Sequence, residues 1–268
     1  MNLIDTAFAR LKEEGRTALI PFLTMGDPDL KTSVEIIKRL EQAGADMIEL
    51  GVPYSDPLAD GPVIQRASER ALTNSITIGD CIQVAEQARG EGVKIPFILF
   101  TYYNPVYQYG LDAFFELVRS KGISGLIIPD LPIEEDEDVR QLAEASGVHL
   151  IPLVAPTSKD RVVRISGKAR GFVYCVSSLG VTGVRADFHT GIDEFLATVR
   201  GATDLPIAVG FGISSREQVE RFSKQCDGVV VGSAIVRTIE EAIPLLKDAG
   251  KREEGLKLIG DFVAKLRG

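Results

Sequence analysis

The sequence predicts an α/β chain of the (β/α)8, or TIM-barrel, class with one extra helix at its N-terminus. Three observations carry that expectation. Eight short apolar stretches recur along the chain, each bounded by turn residues and followed by a segment of helical periodicity. Strands that are apolar on both faces and separated by helices pair in parallel beneath helical layers. The length of 268 residues suits such a barrel, which takes about 250 residues. A doubly wound open sheet is the alternative. It uses fewer strands at this length, and its G-x-G-x-x-G turn is absent after the first strand. No Ser-rich or charged linker divides the chain, so residues 1–268 read as a single domain.

Residues 2–14 predict an amphipathic helix, with Leu3, Ile4, Ala7, Phe8 and Leu11 at helical spacing and Gly15 as its stop. The first strand runs from Ala18 to Thr24, and a helix follows to about Gln42. The second strand carries Glu49, and after a long loop helical patterns cover 63–72 and 78–90. The third strand spans Pro96 to Thr101 and leads into a Tyr-rich loop from Tyr102 to Tyr109. The fourth is Gly125 to Ile128, after which the acidic run Glu134 to Asp138 opens a helix whose N-terminal dipole favours negative charge. The remaining strands are His149–Val154, Phe172–Val176, Ile207–Val209 and Gly228–Val231, and the last helix covers about 251–266.

Composition narrows the function. With 45% hydrophobic and 25% charged residues the chain is ordinary for a soluble globular protein. No apolar run reaches membrane-spanning length and the first residues lack signal-peptide character, so a cytoplasmic location is expected. A net charge of −8 speaks against a nucleic-acid or anionic-membrane surface. It leaves room for one anionic small molecule held by backbone donors. Cys81, Cys175 and Cys226 are isolated, without metal-ligand spacing, and read as small buried hydrophobes.

The stretch from Asp46 to Pro62 is where chemistry first shows. Glu49 stands between Ile48 and Leu50 in a strand, a place where Glu is neither a strand former nor a turn former. Met47, Glu49 and Gly51 share one face, Ile48 and Leu50 the other. The loop beyond presents Asp56 and Asp60 beside Pro and Gly. As turn formers both have an ordinary explanation, stronger for Asp56 than for Asp60. A barrel builds its site at the C-terminal ends of its strands, which here hold Phe22, Glu49, Asp60, Tyr102, Asp130, Tyr174 and Thr182. Gly210-Phe211-Gly212 and Gly232-Ser233 close the last two strands, where bare amides and a helix N-terminus suit a phosphate. Gly183 in the sixth loop completes that ring. No Lys lies at a strand end for a Schiff base, and the two histidines, His149 and His189, are far apart, with His149 at the wrong end of its strand for a zinc site. Acid–base work by carboxylates on a phosphorylated substrate remains.

The run Ile48-Glu49-Leu50-Gly51-x-x-Tyr54-Ser55-Asp56-Pro57-Leu58-Ala59-Asp60-Gly61 resembles the signature of the tryptophan synthase alpha subunit family. The resemblance extends over nearly the whole chain, through Pro21-Phe22, Gly26-Asp27-Pro28, Tyr102-x-Asn104, Pro129-Asp130-Leu131-Pro132, Gly180-Val181-Thr182-Gly183, Gly210-Phe211-Gly212-Ile213 and Gly232-Ser233. Phe100 and Leu179 fall where the family varies. The resemblance implies retro-aldol cleavage of indole-3-glycerol phosphate to indole and glyceraldehyde 3-phosphate. It implies Glu49 as general acid and base and Asp60 as partner of the indole N–H. Phe22, Tyr102, Tyr174, Thr182, Gly183, Gly210, Phe211, Gly212, Gly232 and Ser233 are implied as substrate contacts. It further implies no metal and no cofactor in this chain, and a pyridoxal-phosphate beta subunit as partner in an alpha2beta2 heterotetramer. Asp56 and Thr182 are then expected in loop closure and signalling to that partner. A stand-alone lyase, a non-catalytic activating subunit and a phosphosugar isomerase are the other functions weighed; the last does not predict the Tyr54–Gly61 loop.

Overall fold

The structure is a computed structural model that describes residues 2–157, 159–176, 191–210 and 212–268. The first half of the chain runs α1 (Leu3–Glu13), β1 (Ala18–Thr24), α2 (Leu30–Gln42), β2 (Ile48–Gly51), α3 (Pro62–Leu72), α4 (Ile78–Gly90) and β3 (Phe97–Phe100). Then come α5 (Tyr103–Tyr109), α6 (Leu111–Ser120), β4 (Gly125–Ile127), α7 (Glu137–Ala145), β5 (His149–Leu150) and β6 (Leu153–Val154). The rest is α8 (Lys159–Lys168), β7 (Val173–Val176), α9 (Ile192–Arg200), β8 (Ile207–Gly210), α10 (Arg216–Ser223), β9 (Gly228–Val231), α11 (Ser233–Leu246) and α12 (Arg252–Arg267). No helix among the described residues is long and apolar enough to cross a membrane.

The strands form one sheet in the order β5-β4-β3-β2-β1-β9-β8-β7-β6, with parallel pairing throughout. The two ends of that order are halves of one segment. β5 pairs with β4 through Gly125↔His149 and Leu126↔Leu150, while β6 pairs with β7 through Leu153↔Tyr174 and Val154↔Cys175. Between them the Ile151 N–H donates to the Leu126 carbonyl at 2.9 Å, and the Pro152 carbonyl accepts from the Tyr174 N–H at 3.1 Å. Proline has no N–H to continue the first ladder, so the segment changes neighbours there. The predicted fifth strand is thus the closing strand, and the nine pieces make an eight-stranded barrel.

Alternation sorts each strand's side chains. Ile20, Phe22, Met47, Ile98, Phe100, Ile127, Ile151, Tyr174, Ala208 and Val230 belong to the inner cluster. Leu19, Leu23, Ile48, Leu50, Leu99, Leu126, Val173, Val209 and Val231 belong to the larger cluster that also takes the buried faces of the surrounding helices. The extra helix α1 joins the inner cluster: Ile4, Ala7, Phe8 and Leu11 are buried in it, and Phe8 meets Phe172 at 5.5 Å between ring centroids. It closes the bottom of the barrel, at the N-terminal ends of the strands. Gly125 makes this fit possible, because a Cβ there would come within 2.7 Å of Ile4 Cδ1 and 2.8 Å of Ile151 Cδ1.

Two expectations change, and a third is filled in. The Tyr-rich segment is a helix, α5, because Pro105 falls in its first turn, where a missing N–H costs nothing, and Asp130 Oδ1 accepts from the Tyr103 N–H at 2.9 Å. Glu134 lies outside α7, held by Arg161 and Arg164 of α8, so only Glu137 and Asp138 supply the acidic first turn. His149 is a contact of the plug: its Nε2 faces both carboxylate oxygens of Asp5 at 2.9 Å. All three cysteines are free and buried, as expected. Gly125→Ala should overpack the plug and cost about 1–3 kcal/mol. A urea titration should then show a lower midpoint with an unchanged slope.

Candidate active site

Parallel register places Phe22 beside Glu49 and Glu49 beside Ile98 across β1, β2 and β3. Glu49 faces the barrel interior as the alternation predicts, and it is 1% exposed. Its Oε1 has no hydrogen-bond partner among the described residues. Burial disfavours the charged form and pushes the carboxyl up to about 8. The Tyr174 phenol, buried on β7, is pushed well above its ordinary value by the same desolvation and then by Glu49.

Beyond Gly51 the chain turns through Val52 to Gly61 before α3 begins at Pro62. Two tyrosines shape this loop. Tyr54 stacks on Tyr102 with ring centroids 4.9 Å apart. The Tyr102 hydroxyl accepts from the Ala59 N–H at 3.0 Å and hydrogen-bonds the Asp60 carboxyl. Gln65 donates back to the Asp60 carbonyl at 2.7 Å. Asp60 is buried, and desolvation raises it to about 6 against the opposing pull of Tyr102. Asp56 is exposed at the tip, its carboxylate accepting from Ser55 Oγ at 2.6 Å, and Leu58 next to it is 78% exposed.

On the opposite side, β9 ends at Val231, and Gly232 and Ser233 start the 14-residue helix α11. Its first-turn amides lack helical acceptors and carry the positive end of the dipole. Gly212, at φ 88, takes the left-handed turn after β8. Between these walls lies a small cavity of about 30 Å³, partly open to solvent. Phe22, Glu49, Asp60, Tyr174, Gly212, Gly232 and Ser233 line it, all of them expected from the sequence.

Tyr102 and Gly210 stand behind this wall. Tyr102 acts on the loop, as described, and Gly210 makes room for a neighbour: a Cβ there would lie 2.1 Å from the Tyr174 hydroxyl oxygen. Thr182, Gly183 and Phe211 lie outside the described residues.

The comparisons with known proteins agree with this geometry. A family model described as "Tryptophan synthase alpha chain" matches residues 8–260. The chain belongs to the tryptophan synthase alpha chain family. A tryptophan synthase alpha chain of Bacillus licheniformis is 50% identical over 257 residues, covering 96% of each chain. One of Geobacillus sp. (strain WCH70) is 53% identical over 237 residues, 88% of this chain and 90% of the relative. Among solved structures, the alpha chain from Legionella pneumophila superposes with a TM-score of 0.88 at 35% identity, covering 100% of this chain and 96% of its own. A chain of Mycobacterium tuberculosis tryptophan synthase gives 0.87 at 35% identity, covering 99% and 98%.

In this alpha chain Ile64, Phe100 and Val230 complete the lining. Ile64 and Val230 were not expected from the sequence. Their signals were positional: Ile64 is an early core-facing residue of α3, and Val230 alternates with Gly232 on the inner face. Because burial raises Glu49 in the folded state, the stabilisation tied to its neutral form is complete below about 4.5 and lost as pH rises through about 8. Glu49→Gln should therefore match the parent's melting temperature near pH 4.5, exceed it increasingly as pH rises to about 8, and keep a level advantage beyond. A constant difference across that range would refute the buried neutral acid.

Proposed function

We propose that this chain, which cleaves indole-3-glycerol phosphate to indole and glyceraldehyde 3-phosphate, does so with Glu49 as general acid and base and Asp60 as anchor of the indole ring. One observation carries the assignment. Two carboxyl groups raised to different extents, to about 8 and about 6, share one cavity with a helix N-terminus on its far side.

The chemistry follows from the protonation states. Near neutrality Glu49 is largely protonated and starts as the acid. It delivers its proton to the indole carbon that bears the glycerol chain, and the ring nitrogen takes the positive charge. Asp60, held by Tyr102, accepts the indole N–H and is ionised enough at pH 7 to stabilise that charge. The Glu49 carboxylate then takes the proton of the adjacent hydroxyl. A carbonyl forms there, the carbon–carbon bond breaks, its electron pair restores the aromatic ring, and Glu49 is again protonated. Protonation makes the ring its own electron sink, so the cleavage requires no Lys, metal or cofactor of this chain. The phosphate sits against the amides of Gly212, Gly232 and Ser233, with Gly183 and Phe211 assigned as further contacts. Phe22 and Tyr174 flank the ring, and Thr182 is assigned to loop closure.

We read residues 1–268 as one domain working in the cytoplasm, and we assign it a pyridoxal-phosphate beta subunit as partner in an alpha2beta2 complex. The exposed tip at Asp56 and Leu58 supports a partner on the loop face. Asp56→Ala and Thr182→Val should each weaken activation by a beta subunit, measured as the ratio of indole release with and without it; unchanged ratios would remove both residues from that role. Indole release from indole-3-glycerol phosphate tests the chemistry itself. Glu49→Gln should abolish turnover while substrate still binds, and Asp60→Asn should lose most of it, about 10²-fold or more. Near-normal turnover by Glu49→Gln would sink the mechanism.

A further inference from the structure

One ionic cluster near the site has no part in the chemistry above. Arg70, on α3, reaches Asp27 with both arms of its fork: Nε donates to Oδ1 at 2.9 Å and Nη2 to Oδ2 at 2.8 Å. Asp27 follows β1 and is 2% exposed. The remaining Arg70 nitrogen, Nη1, donates to Glu240 Oε1 on α11 at 2.6 Å. Arg66, one turn earlier on α3, holds the same carboxylate with Nε at 3.0 Å and Nη2 at 2.8 Å. The Arg66 hydrogen bonds lead in holding Glu240 down to about 2, so it is ionised near neutral pH.

The placement of these helices gives the cluster a consequence. Asp60 sits just before α3, and Ser233 is the first residue of α11. The two helices pack side by side, with Val63, Ile64, Ala67 and Val236 in one buried cluster. Apolar contacts alone tolerate sliding, whereas a planar fork bonded to two carboxylates fixes distance and direction. Arg70 and Glu240 lie about two turns into their helices, roughly 10 Å from the ends that meet the cavity. We propose that Arg70 is a positioning residue: it sets the register between the helix that presents Asp60 and the helix that presents the phosphate turn. A substrate anchored at its phosphate then finds Asp60 at the correct distance from its ring. This rests on the function proposed above, with Asp60 at the ring and Ser233 at the phosphate.

The test is steady-state indole release from indole-3-glycerol phosphate, with inorganic phosphate as competitive inhibitor and a melting curve for each variant, all assayed well below their transitions. Arg70→Lys keeps a positive charge for Asp27 but cannot bridge both carboxylates. Its kcat should fall about tenfold or more, since an ångström-scale misplacement is costly to catalysis. The inhibition constant for phosphate should stay within about twofold, because the phosphate turn itself is intact. Glu240→Gln leaves the Asp27–Arg70 pair in place and should give a smaller fall in kcat, again with phosphate binding retained. If Arg70→Lys does not fold, Glu240→Gln carries the test alone. Variants that melt earlier yet keep the parental kcat would show a merely structural clamp and overturn the proposal. Loss of phosphate inhibition in step with kcat would overturn it too. A parent chain that releases no indole would refute the proposed function instead, so the two failures are distinguishable.

Discussion

The burial of Glu49 without a compensating charge is the constraint on which the rest of the site depends. A cation within about 4–6 Å would pull a carboxyl down by about 1–3 units, and the neutral acid would be lost at neutral pH. Among the described residues, the cavity wall accordingly contains no Lys or Arg. That rule bears on the phosphate site proposed above. Among the described residues, positive potential beside the cavity comes from backbone amides and a helix N-terminus at the turns of Gly212 and Gly232. The acidic net charge of −8 and an anionic substrate are therefore compatible.

The arginines are placed one layer out. Arg66 and Arg70 grip Glu240 and Asp27 behind the site, and Arg10, Arg16 and Arg267 surround the buried Asp46 at the other end of the barrel. There they neutralise carboxylates that tie elements together and do not disturb the acid at the centre. Tyr102 does comparable work for Asp60 with a neutral hydroxyl, holding the carboxyl below where burial alone would leave it.

Much of this was legible in the sequence because it depends on local rules. Period-two alternation gave the inward face of Glu49, and apolar strands between helices gave the barrel. Seven of the expected site residues line the cavity because strand ends and their loops are short and their directions fixed. What local rules could not give was tertiary. Gly210 serves Tyr174 on the neighbouring strand, a relation only register reveals. Pro105 is tolerated in the first turn of α5, but where that turn begins is set by tertiary contacts. Arg70 lies 43 residues from Asp27 and 170 from Glu240, separations that no local pattern spans.

The N-terminal plug also makes the barrel a blind pocket. With Ile4, Phe8 and Leu11 filling its floor, nothing can drain through the core. Substrate, phosphorylated product and the apolar ring must all cross the rim formed by the strand-end loops. Glyceraldehyde 3-phosphate is readily hydrated, whereas free indole is apolar, and Leu58 on the loop after β2 is exposed. A closed floor thus turns traffic into a one-door problem, in which whatever sits on the loop face decides where the indole goes next.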